Sequence, residues 1–198
     1  MDRGTLGWWV AGVLLVGLVV VVAAPRLLGT GSPETPRTPA GPQGSGLGAA
    51  PNVDLTSMTP REAADRLWNR VMRAAEMQDS TEILNFVPMA VSAYELARPL
   101  DADGLFHLSV LLRLGQDMDG ALAAAEEVLV NDPTHLLSLA AAAEAAQEAG
   151  LREEAAGFWG RFLEAYDVEL ATGREEYEVH ADLLPRMRGD AQAALEAR

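Results

Sequence analysis

Residues 102–135 read ADGLFHLSVLLRLGQDMDGALAAAEEVLVNDPTH, and residues 136–169 read LLSLAAAAEAAQEAGLREEAAGFWGRFLEAYDVE. In both stretches apolar residues return at three- and four-residue intervals, a glycine interrupts (Gly115, Gly150), and a second run of the same kind follows. Offset by 34 residues, Leu105 meets Leu139, Ala121 meets Ala155 and Leu129 meets Leu163, and Pro99 and Pro133 stand the same distance apart. Upstream, Thr59-Pro60-Arg61-Glu62 predicts a helix start: Thr59 as cap, Pro60 at the first helical position and Glu62 completing a capping box. Ala63, Ala64, Leu67, Trp68, Val71, Met72 and Ala75 continue with helical periodicity. Further breaks fall at Asp79-Ser80, Arg98-Pro99, Asn131-Asp132-Pro133 and Gly173, and strand alternation is absent. The expectation is an all-α domain of antiparallel helix pairs.

A 34-residue helix–turn–helix period resembles that of the tetratricopeptide repeat (TPR) proteins. The resemblance runs over residues 68–169, as units 68–101, 102–135 and 136–169. Leu105, Leu108, Ser109 and Leu112 stand where the family carries its first-helix pattern, and Ala121 and Ala155 hold the small-residue crossing position. Trp159 and Phe162 take aromatic packing positions. The first unit departs: Val87 replaces the crossing alanine and Pro88 lies inside the second helix, where a kink is expected. The third unit carries Asp167 where the terminal proline would be. Residues 59–173 are thus expected to form an α-solenoid of TPR-like pairs, with residues 174–198 as capping helices broken at Pro185.

The N-terminus has a different character. Leu6 to Ala24 reads LGWWVAGVLLVGLVVVVAA, without a charge, and as a helix these residues span roughly 28 Å, close to a hydrocarbon core of about 30 Å. Trp8 and Trp9 suit an interfacial aromatic belt, Leu14 and Val19 the apolar interior, and Arg26 the far boundary. Residues 1–28 are therefore expected to be an uncleaved transmembrane anchor. A signal peptide is the competing reading; its apolar stretch is shorter, and Pro25 would follow the cut at Ala23-Ala24. Arg3 and the amino terminus, less Asp2, nearly balance Arg26 and Arg37, so orientation is set weakly, with an extracytoplasmic domain on a bacterial inner membrane expected. Residues 29–58 are a Pro/Gly-rich linker, read as a tether.

Charge and composition exclude several classes of function. The net charge is −14, and since residues 1–55 sum to zero, all of it lies in residues 56–198. So acidic a domain repels phosphate backbones, which excludes nucleic acid as a partner. There is no Cys, and all 15 basic residues are Arg, so thiol chemistry, disulfides, Schiff-base lysines and phosphate-loop lysines are absent. Glu176 and His180, four residues apart, could form half a metal site, but no second pair at matching spacing completes it, and chance pairing on a solvated face is the simpler account. No catalytic motif is present. No enzyme activity, cofactor, metal or small-molecule substrate is expected.

The resemblance implies a concave groove lined by first helices as the partner-binding surface. Its positions fall on Asp103, Phe106, His107, Val110 and Arg113 in the middle unit, and on Leu137, Ala140, Ala141, Glu144 and Gln147 in the third. Phe106, Val110, Ala140 and Glu144 stand where the carboxylate clamp of chaperone-binding relatives needs Lys, Arg and Asn, so an amphipathic helix or apolar segment suits the groove better. Phe106 and Val110 could equally be packed between helices. The expected function is a non-catalytic membrane-anchored scaffold that clamps or bridges other subunits of a larger respiratory, secretion or photosynthetic complex. The alternative is an assembly factor holding clients transiently, similar to the membrane-anchored TPR proteins of cytochrome c maturation or envelope-protein folding.

Overall fold

The structure is a computed structural model and describes residues 58–197. The expected anchor, with Trp8, Trp9, Leu14, Val19 and Arg26, and the linker through residue 57 lie outside the described residues. Eight helices make up the described part: α1 (Pro60–Glu76), α2 (Ser80–Leu96), α3 (Ala102–Leu114), α4 (Met118–Leu129), α5 (Leu136–Glu148), α6 (Arg152–Leu170), α7 (Glu175–Val179) and α8 (Leu184–Glu196). None of these is long and apolar enough to cross a membrane.

Local chemistry starts and stops these helices. Thr59 and Glu62 form the expected capping box: the Thr59 hydroxyl accepts from the Glu62 N–H, and Glu62 accepts from the Thr59 N–H at 2.8 Å. Asp79, Asp101 and Asp117 each accept a hydrogen bond from the backbone N–H three residues on, capping α2, α3 and α4. The three turns inside the helix pairs repeat one geometry. Gln78, Gln116 and Gly150 adopt φ of 57°, 67° and 80°, and the next residue donates back across the turn: Asp79 to Ala74, Asp117 to Leu112 and Leu151 to Ala146, at 2.8–2.9 Å. These are Schellman closures, which satisfy the last carbonyls of α1, α3 and α5 and reverse the chain in three residues.

The result is a stack of helix pairs, α1 with α2, α3 with α4 and α5 with α6, in which α3 also packs on α5 and α4 on α5. The first pair differs in length. Its helices have 17 residues each, against 13 and 12 in the second, and α1 begins at Pro60, two turns before the unit start that the 34-residue period sets at residue 68. α2 runs unbroken through Pro88, whose ring lies on the exposed side, where water can serve the carbonyl that Pro88 cannot pair.

Two apolar clusters form the core and meet at α3. Trp68, Val71, Val87, Tyr94, Leu108 and Leu111 build the first. Phe106, Leu136, Leu139, Trp159, Phe162, Tyr166, Tyr177, Leu184 and Met187 build the second, around α5. α5 is buried almost all round, with Ala140 through Ala143 at 0–2% exposure. Its alanines let α3, α4, α6 and α8 approach closely, since a helix enclosed by neighbours on every side has no polar face to spare.

Candidate functional site

The chain's own C-terminal segment folds back onto the first helices α3 and α5, on the side that carries the expected groove positions Phe106 and His107. After α6 the chain turns at Gly173 (φ 65°), and α7 brings Tyr177 and His180 back onto α5 and α3. Tyr177 is 2% exposed, and its hydroxyl accepts from the N–H of Leu136 at 2.9 Å and donates to Glu169 at 3.2 Å. His135 caps α5 from beneath: its Nδ1 meets the N–H and hydroxyl of Ser138, and its Nε2 reaches Glu176 at 3.4 Å. Burial pushes the His135 imidazole below its usual value, against the pull of Asp132 and Glu176.

The expected groove residues divide accordingly. Phe106, His107 and Leu137 are 1%, 6% and 0% exposed. Phe106 meets the edge of the His180 ring at 5.1 Å, and Val110 is half-buried against both core clusters. Arg113 binds Glu144 at 2.8 Å and Glu148 at 2.5 Å, beside Asp190 of α8. Burial pushes the Glu144 carboxyl up, with Glu148 and Asp190 adding to the effect and Arg113 opposing it. Phe106 and His107 lie against His180, so a partner reaches them from this side only if the C-terminal segment moves.

At the α1 end of this surface lies a polar cluster. Arg61 on α1 spreads its guanidinium over three carboxylates: Asp65 at 2.9 Å, Asp101 at 2.6 Å and Asp103 at 2.9 Å. Tyr94 of α2 donates its hydroxyl proton to Asp65 at 2.6 Å and stands 2.8 Å from Nδ1 of His107. Burial disfavours the charge on Asp65, but His107, Tyr94 and Arg61 outweigh it and bring the carboxyl down to about 2. The His107 ring stacks on Trp68 with centroids 4.0 Å apart. On its far side, Nε2 of His107 lies 3.3 Å from Nε2 of His180 and 3.5 Å from Oδ1 of Asp103, and the last two atoms are 3.0 Å apart.

Glu176 and His180, not expected as a metal site despite their spacing, form no joint site, and the two side chains turn to different partners, His135 and Asp103. α7 is a single short turn whose two ends meet different helices, so i,i+4 proximity does not bring the pair to one ligand. The pair that does share a face is Asp103 and His107 on α3, also four residues apart. That spacing was readable in the sequence. The joining of Arg61, Asp65 and Tyr94 to it was not, because those residues lie on other helices.

The chain matches no protein-family model and no curated protein. Among solved structures it is similar to the Sgt2 TPR domain from Aspergillus fumigatus, at 18% identity and a TM-score of 0.42, over 69% of this chain and 86% of that one.

Proposed function

We propose that this chain is a non-catalytic interaction module, held at a membrane by residues 6–24, that binds another protein through the outer face of α2. The carrying observation is the character of that face. From Thr81 to Ser92 its exposed positions are Thr81, Leu84, Asn85, Pro88, Met89 and Ser92, none of them charged, and Leu96 follows beside Glu95, which is exposed and paired with Arg98. Leu84, Met89 and Leu96 are 73%, 49% and 78% exposed. On a chain of net charge −14 an uncharged exposed face is out of keeping with the rest, and the apolar residues along its two edges suit a protein partner, since interface centres are depleted in charge. The outer face of α2 is accessible as it stands, whereas the expected groove positions Phe106, His107 and Leu137 are buried.

The reading extends to a bacterial inner-membrane protein, its helical domain outside the cytoplasm, serving as an accessory subunit of a larger membrane complex. The apolar span, the Pro/Gly-rich stretch that follows and the acidic repeat domain support it.

The test is mild detergent extraction of native membranes, followed by sizing and mass spectrometry of what travels with the chain. Stoichiometric co-migration with one complex, abolished by Leu84→Glu with Met89→Glu, is the expected result. Co-migration that survives this double variant would overturn the α2 assignment, and recovery of the chain without detergent would overturn the anchor. A scatter of faint clients would replace the subunit by a transient assembly factor.

A further inference from the structure

We propose that Asp103, His107 and His180 bind a divalent transition-metal ion, with Zn2+ the best match, and that the ion pins the C-terminal segment to α3. The first argument is geometric. The three ligand atoms form a triangle with edges of 3.0, 3.3 and 3.5 Å. Four-coordinate zinc with ligands at about 2.0–2.1 Å has neighbouring ligands about 3.3–3.4 Å apart, so the triangle is one face of such a tetrahedron and leaves a fourth position open. Two imidazoles and a carboxylate are a donor set for Zn2+ and its first-row neighbours, whereas Mg2+ and Ca2+ require oxygen ligands.

The surroundings are those of a built site. Tyr94 gives its proton to Asp65, so its oxygen is left to accept from Nδ1–H of His107. That relay fixes the tautomer in which Nε2 of His107 carries the lone pair, and Nε2 is the atom facing Asp103 and His180. The lone pair has no donor of its own. A single proton on Nε2 of His180 would have to serve both Asp103 at 3.0 Å and His107 at 3.3 Å, whereas a cation at the centre serves all three atoms together.

Asp103 is held by its other oxygen to Arg61 at 2.9 Å, which leaves Oδ1 for the ion. The positive charge of Arg61 is exceeded locally by Asp65, Asp101 and Asp103, so the pocket carries two net negative charges, suited to a dication. Trp68 stacked on His107 and Phe106 edge-on to His180 supply an apolar wall that holds both rings in place. His180 is separated from the other two ligands by 73 and 77 residues, so the ion ties the middle of the stack to the segment that follows it.

The experiment uses the full chain in mild detergent, purified through a histidine-free tag and stripped with a chelator. Zn2+ is titrated by calorimetry and by thermal unfolding, and Co2+ replaces it for visible spectroscopy. One ion per chain is expected, with Tm raised by about 10 °C at a hundredfold excess over Kd, and with the intense visible bands of four-coordinate Co2+. His180→Ala and Asp103→Asn should each weaken binding by at least about 100-fold while the helical signal is kept, because His180 lies beyond the end of α7 and the asparagine preserves shape. Tyr94→Phe, which frees the tautomer, should weaken it about 10- to 100-fold. Absence of a Zn2+-dependent rise in Tm for the parent chain, or a rise of equal size in both ligand variants, overturns the proposal.

Discussion

Replacing Tyr177 by phenylalanine isolates the contribution of one hydroxyl to the closure of the C-terminal segment. The phenolic oxygen is the partner of the Leu136 N–H, at 2.9 Å, at the first position of α5. That residue is 0% exposed, so no water can take the place of the oxygen. Glu169 also loses a donor but keeps Thr134 at 2.6 Å and Arg174 at 3.3 Å. One buried donor is therefore orphaned, which costs about 1–3 kcal/mol. For a domain of this size each kcal/mol lowers Tm by about 4 °C, so Tyr177→Phe should lower it by about 4–12 °C. Thermal unfolding by circular dichroism reads this, and hydrogen exchange adds a residue-specific readout, since the Leu136 amide should lose protection before its neighbours in α5. Tyr177→Ala adds the loss of the ring and should cost about 3–5 kcal/mol. A phenylalanine variant that melts with the parent and leaves Leu136 protected would refute the reasoning, because the N–H would then have a partner other than Tyr177.

Three further outcomes follow from features of the same kind. Burial holds His135 below its unfolded value, so below about pH 6.5 the unfolded chain takes up a proton that the native chain resists. Stability should therefore decline as pH falls from that value, and His135→Asn, which keeps a capping side chain, should flatten the decline in urea melts at successive pH values. Tyr94 and Tyr177 are pushed up by burial and by the nearby carboxylates Asp65 and Glu169 respectively, so their contribution is complete below about pH 10 and is lost above it. Alkaline melts should show that loss, with a smaller slope in Tyr177→Phe. Gly150→Ala puts a Cβ into the left-handed turn at φ 80° and should cost about 1 kcal/mol, whereas Gln116→Gly at φ 67° should raise the midpoint of a denaturant melt.

The pairing of helices was legible because its determinants are local. Thr59 and Glu62 sit three residues apart, Gly150 marks its own turn, and the 34-residue offset places α3 through α6 in register. The turns at Gln78 and Gln116 were readable only as breaks, since glutamine carries no mark of the left-handed conformation it adopts there. The packing of α7 and His180 onto α5 and α3 was not legible. α7 is five residues long, too short to show a period, and its main anchor is one ring whose hydroxyl finds a backbone N–H 41 positions away. The cluster of Asp103, His107 and His180 was half legible: two of its members are one helical turn apart, and the third arrives by a fold-back that no local pattern encodes. Phe106 and Leu137 read as groove positions because the family pattern fixes which side of a helix they occupy. It does not fix what lies above that side.

The fan of contacts made by Arg61 has a mechanical consequence. A pull transmitted along the chain ahead of Thr59 enters the domain at Pro60, one residue before this side chain. Its guanidinium grips Asp101 and Asp103, so tension on α1 passes sideways into α3 instead of peeling α1 away from α2 turn by turn. From α3 it spreads to both apolar clusters at once, because that helix contributes to each. A domain wired in this way resists tugging as a block, with Arg61 as the clasp.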